Sequence, residues 1–161
     1  MSAVERLLAI EAIRTLKARY FRCVDTKDWI GLAQVFAAEI VFDRGFGHAV
    51  QDTVSGEWSV APPPRSVLVH GRGAVLAMVR EAIGEVATVH HGYNAEIHIH
   101  NADVATGIWG MSDELRDRSG QLILAGHGHY HDTYCRTDDA WRISASKLTR
   151  VSIVLGGGIR Q

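Results

Sequence analysis

The sequence predicts an α+β fold, helices first and an antiparallel meander afterwards. Three observations carry this. Over residues 3–37 and again over 71–86 the apolar residues recur at steps of three or four, and after Thr88 the pattern changes to that of strands. The turn sequences Asn101-Ala102-Asp103, Ser119-Gly120 and Asp138-Asp139 cut the second half into four long segments. The length of 161 residues, 47% apolar and 22% charged, suits a single domain, residues 1–161, with a sizeable core. A long curved sheet with helices on one side makes a cone with a pocket inside.

The first helix is expected from Ala3 to Val24. Leu7, Ile10, Ile13, Leu16, Tyr20 and Val24 form its apolar stripe, with Glu5, Arg14, Lys17 and Arg19 mostly off it. A shorter helix, Lys27 to Ala37, turns Trp29, Leu32, Ala33 and Phe36 inward. Asp25, with Asp28 three residues on, has the form of a helix start, which gives Asp25 a capping role. Ile40–Asp43 reads as a short strand. Arg44 to Arg65, with Gly45, Gly47, Gly56 and Pro62-Pro63-Pro64, is irregular, as in a lid or binding element, with room for a short strand around Trp58. Ser66–His70 is a further strand candidate. Gly71–Val86 returns to helical spacing through Val75, Met78, Val79 and Ile83. Four long strands follow, and only the glycine run Gly156–Gly158 is low in complexity.

Charge and composition exclude several classes. Seventeen basic against eighteen acidic residues leave a net charge of −1, without the basic excess of a general nucleic-acid binder. No apolar run approaches the roughly 18 residues of a membrane span. The start of the chain carries charges throughout and reads as an amphipathic helix, not a signal peptide. Two cysteines, Cys23 and Cys135, make no disulfide framework. The expectation is a cytoplasmic protein with no nucleic-acid or membrane partner.

Several residue groups can carry chemistry. Nine histidines are many for this length. His98 and His100 share one strand face, and His127, His129 and His131 share another. They suit either a transition metal or a polar sheet face, and no acidic or cysteine ligand at a familiar spacing joins them. Alternation puts Trp109, Met111 and Asp113 together. If that face lines a pocket, the Asp113 pKa rises and it becomes a candidate general acid or base; if the strand end meets water, it does not. Gly126, Gly128, Tyr130, Asp132 and Tyr134 share the next strand's face, where the glycines leave room for a ligand or relieve a bend. Arg150 suits a substrate anion, a partner for Asp113, or an exposed strand position. His90 should face the same way as Gly92 and Asn94, with His91 opposite. Asp25 can orient the His90 imidazole as a base, or act only as a cap. Tyr20 is either a hydroxyl donor or a core tyrosine. On an ideal helix Tyr20 and Asp25 point about 140° apart, so they converge only if the helix ends before Asp25.

RYFRCVDTKDWIGLAQVF, TVHHGYNAEI and GHYHDTYCRTDDAWRIS followed by LTR resemble the SnoaL-like branch of the nuclear transport factor 2-like superfamily. Within it, the chain is most similar to the group of scytalone dehydratase, bile acid 7-alpha-dehydratase and hexachlorocyclohexane dehydrochlorinase. The resemblance covers nearly the whole chain. It implies a cone-shaped α+β barrel: a strongly curved mixed sheet wrapped around a pocket and closed by the N-terminal helices. It implies a pocket histidine base, His90, paired with Asp25, with Tyr20 and Asp113 as further catalytic residues. Arg150, Tyr130, Met111 and Trp109 are then substrate-binding. The implied activity is that of a lyase or isomerase, dehydratase-like and without cofactor or metal, acting on a hydrophobic, cyclic small molecule. The same fold also hosts non-catalytic binding and assembly proteins. A homo-oligomer, dimer or trimer, is implied through the outer sheet face, where His127, His129, His131, Ile123 and Ala125 fall.

Overall fold

The computed structural model describes residues 1–61 and 67–156. Helix α1 spans Ala3–Asp25 and begins with a capping box: Ser2 accepts from the Glu5 backbone while Glu5 accepts from the Ser2 backbone. Helix α2, Trp29–Val35, is capped by Asp28, whose carboxylate accepts from the Gly31 backbone. The cap is therefore Asp28. Asp25 is the last residue of α1, followed by Thr26 as its C-cap.

The chain continues through β1 (Phe36–Asp43), β2 (Val50–Gln51), β3 (Trp58–Val60), β4 (Leu68–His70), α3 (Arg72–Ile83), β5 (Ala87–Ile99), β6 (Val104–Arg116), β7 (Leu122–Thr137) and β8 (Ala140–Leu155). Phe36 opens β1 instead of closing the second helix; its backbone is extended and its carbonyl accepts from Arg72. Strands β2 and β3 fall in the stretch expected to be irregular, and β3 begins at Trp58. Pro62-Pro63-Pro64, Arg65, Ser66, Gly157 and Gly158 lie outside the described residues.

The eight strands form one mixed sheet in the order β3-β2-β8-β7-β6-β5, with β1 also on β8 and β4 on β1. One edge of β8 serves two partners in succession: β1 runs parallel to it as far as Lys147, and β2 joins at Arg150. The sheet curves without closing, so the cone is an open one. Four irregularities punctuate its long strands, at Tyr93/Glu96, Leu115/Arg116, His127/Gly128 and Thr133/Tyr134, where bulges bend a strand and add twist. At the first, Asn94 has φ of 51° and is exposed, while Ala95 packs on the core. The inward phase that starts at His90 and Gly92 thus passes to Ala95, Ile97 and Ile99 and not to Asn94.

Helix α1 lies inside the curve. Its buried stripe runs through Ile13, Leu16, Lys17, Tyr20, Phe21 and Val24. Two expectations fail here. Leu7 is exposed, on the side of α1 away from the sheet, although its neighbour Arg6 donates to the Ile99 carbonyl of β5. Lys17 is fully buried, because it stands four residues after Ile13 and three before Tyr20, the centre of the same stripe. Gly92 lets α1 approach β5: a Cβ there would sit 2.3 Å from the Phe21 ring. On the outer face Tyr93, Ile108, Ile123, Val151 and Val154 are exposed beside His127, His129 and His131.

Candidate active site

The last turn of α1 meets the first half of β5. Asp25 Oδ1 lies 2.6 Å from His90 Nδ1, and the His90 backbone N–H donates to Oδ2 at 2.9 Å. Thr88 Oγ1 donates to Oδ1 at 2.9 Å, and Lys27 Nζ donates to Thr88 Oγ1 at 2.9 Å. A strand places Thr88 and His90 on one face, so a single carboxylate spans both. Thr88 and Lys27 were not among the residues singled out from the sequence; the two-residue spacing to His90 was the available signal for Thr88.

The hydrogen bonds fix the histidine's chemistry. Nδ1 faces a carboxylate, so in the neutral ring it carries the proton and Nε2 is left as the basic nitrogen. The His90 side chain is 8% exposed and that of Asp25 24%. Burial raises the Asp25 pKa, but the hydrogen bonds from the His90 ring and backbone and from Thr88 outweigh it, leaving the carboxyl below its ordinary 3.8. The native carboxylate binds its proton less tightly than the unfolded one. Its stabilising contribution is complete above about pH 4 and is lost as pH falls through the lowered native value. Thermal unfolding between pH 5 and pH 2 is expected to show a steeper acid loss in the wild type than in Asp25→Asn.

Asp113 is the register partner of His90 on β6, and Gly126 is the partner of Asp113 on β7. Asp113 does not stand as a lone pocket acid. Arg150 Nη1 and Nη2 donate to its two oxygens, each at 2.6 Å, in a buried bidentate pair. Gly126 makes the space for it, since a Cβ there would lie 2.4 Å from Arg150 Nη1. Arg150 Nε also donates to the Gly47 carbonyl at 3.0 Å and so ties the segment between β1 and β2 to the site.

Tyr20 and Tyr130 meet edge to face, 5.8 Å between ring centres, and both are buried. Burial pushes the Tyr20 pKa up; the neighbouring Tyr130 hydroxyl opposes that rise, and the charges of Asp132, Asp113 and Asp25 add to it. Helix α1 continues through Asp25, so it does not end before that residue as convergence of Tyr20 and Asp25 on one pocket would require. Burial, and then Tyr20, likewise push the Tyr130 pKa up.

Met111 is fully buried between Gly92 and Gly128 in the register. Trp109 is one row further in, and its Nε1 donates to the Tyr134 hydroxyl at 2.8 Å, away from His90. Two surface hollows lie elsewhere, one outside the sheet beside Tyr93 and His129, the other beside Leu8 and Trp141. Among the described residues no group of three or more histidine, cysteine or acidic side chains is placed to hold a metal. His100 instead pairs with Thr106 and His131 with Thr149. No described helix is long and apolar enough to cross a membrane.

An open, curved mixed sheet around an N-terminal helix is the architecture of the nuclear transport factor 2-like class of α+β proteins. Residues 5–147 match the SnoaL-like domain, and the chain belongs to that family. Solved structures share the fold. A scytalone dehydratase-like protein from Novosphingobium aromaticivorans is 18% identical, with 99% of each chain covered and a TM-score of 0.75. Hexachlorocyclohexane dehydrochlorinase LinA-type3 from Novosphingobium barchaimii is 18% identical, with 99% of this chain and 98% of that one covered and a TM-score of 0.72. A protein of unknown function from Mycobacterium tuberculosis is 24% identical, covers 93% of this chain and 76% of that one, and has a TM-score of 0.70. At these identities the likeness establishes the fold.

Proposed function

We propose that this protein is a cofactor-free lyase or isomerase of the dehydratase kind, acting on a hydrophobic, cyclic small molecule. The observation that carries this reading is the Asp25 carboxylate 2.6 Å from His90 Nδ1, which frees Nε2 to act as a base. His90 Nε2 takes a proton from carbon. The C–H electron pair becomes a double bond, and a substituent on the neighbouring carbon leaves with its own bonding pair. Asp25 stabilises the imidazolium formed. Tyr20 donates to a carbonyl or to the leaving oxygen, a contribution of about 2–4 kcal/mol in a dry site. Asp113 and Arg150 act as a neutral pair that orients a polar substituent. The buried surroundings, Phe21, Met111 and Tyr130, favour an apolar substrate body. Structural relatives named for a dehydratase and a dehydrochlorinase support an elimination.

The test is a panel of β-hydroxy ketones, cyclic ketones and polyhalogenated cyclohexanes, with products and deuterium uptake from D2O read by mass spectrometry. The wild type is expected to convert at least one member, and His90→Ala to lose that conversion. Conversion retained by His90→Ala, or no conversion of any member, overturns the reading. Binding without conversion identifies a non-catalytic binding protein instead.

A further inference from the structure

Lys17 is fully buried and unused by the chemistry above; burial lowers its pKa, and the Asp132 carboxylate beside it opposes that fall and favours the ammonium. Its Nζ lies 2.6 Å from Asp132 Oδ2. The same nitrogen stands 3.8 Å from the centre of the Tyr130 ring and 4.6 Å from that of Tyr20. Asp132 is itself held fast. Ser146 Oγ donates to its Oδ1 at 2.7 Å and the Tyr134 hydroxyl to its Oδ2 at 2.9 Å. Trp109 in turn donates to Tyr134. The ammonium is thus fixed by a carboxylate anchored on β6, β7 and β8, and its other close contacts include the two tyrosine rings.

Stability alone gives a poor account of this arrangement. Taking two charges out of water costs so much that apolar side chains of similar volume usually serve as well or better. A methionine at position 17 would simply continue the stripe of Ile13, Leu16 and Phe21. The contact with Tyr20 and Tyr130 gives a better account. A cation against a phenol face is attracted to the ring, holds it in place and draws electron density from the hydroxyl, which becomes the stronger donor.

We propose that Lys17, held by Asp132, is a positioning residue that orders the Tyr20–Tyr130 pair and strengthens the Tyr20 hydroxyl as a hydrogen-bond donor. The kinetic consequence rests on the proton-abstraction reading above; the spectroscopic consequence does not.

The experiment uses the full chain carrying Lys17→Met with Asp132→Asn, which removes both charges together and keeps an amide acceptor at position 132. Thermal unfolding is expected at the wild-type midpoint or above it. The Tyr20 and Tyr130 hydroxyl protons, assigned by NMR from Tyr20→Phe and Tyr130→Phe proteins, are expected to move upfield and to exchange faster with water. With a compound the wild type converts, kcat is expected to fall about 10-fold, the scale of a desolvated cation–π contact, with KM within about twofold. In a Tyr20→Phe background the same pair of changes should cost little more. A lowered midpoint or failure to fold, with tyrosine hydroxyl resonances that do not move in the single Lys17→Met protein, makes the pair structural and overturns the proposal. A rise in KM with kcat intact overturns it too. Moved resonances in a protein whose wild type converts no panel member retain the positioning role and remove the proton-abstraction reading.

Discussion

Asp25→Asn is expected to slow proton abstraction by about 10²–10⁴-fold while leaving a folded protein. The carboxylate receives three donors: the His90 backbone N–H, the His90 ring and the Thr88 hydroxyl. An asparagine offers one acceptor oxygen and one amino group. With its oxygen toward the ring, its amino group faces the His90 backbone N–H, donor against donor. With its oxygen toward the backbone, its amino group faces Nδ1, which must then be the unprotonated nitrogen, and the proton moves to Nε2. The base is lost in that tautomer. His90→Ala is expected to fall at least as far, and the double variant no further, because the two residues act as one unit. The check is kcat for a compound the wild type converts, with the unfolding midpoint measured alongside. A rate for Asp25→Asn within about threefold of wild type would show that the carboxylate does not serve the base.

Local pattern made much of this molecule legible in advance. The helical spacing of Ile13, Leu16, Tyr20 and Val24 and the alternation from Thr88 reflect local periodicities, and both survive into the structure. The meander's turns were readable from Asn101, Gly120 and Asp138 for the same reason. Family resemblance, not spacing, suggested that Asp25 and His90 should meet. Sixty-five residues of chain separate them, and only the curvature of β5 around α1 brings them together. Three features were misread because a tertiary contact decides them. Asp28, not Asp25, caps α2, and Asp25 turns to the strand. Asn94 leaves the inward face because a bulge resets the alternation, a change of phase the pattern does not announce. Lys17 was placed off the buried stripe by its charge although its position lies on it. Position and residue type disagreed, and position decided, because Asp132 stands opposite on β7. A charged residue in the middle of an apolar stripe was itself the signal that a buried partner existed.

Arg150→Met is expected to destabilise the protein by about 3–5 kcal/mol, the usual loss when one member of a buried pair is removed. The side chains of Arg150 and Asp113 are 5% and 4% exposed, so water does not reach in to replace the lost guanidinium. Two hydrogen bonds to Asp113 and one to the Gly47 carbonyl disappear together. The stranded carboxylate then lies across from His90, on the strand that pairs with it. The midpoint of thermal unfolding should fall by roughly 10 °C for a chain of this size. Removing the carboxylate as well, in Arg150→Met with Asp113→Leu, is expected to recover most of that loss, since no lone charge remains. Recovery of stability without recovery of turnover would mean that the pair serves the site. Recovery of both would reduce Asp113 and Arg150 to a strut between β6 and β8. If Arg150→Met alone unfolds at the wild-type midpoint, Asp113 is not confined as its two short hydrogen bonds require.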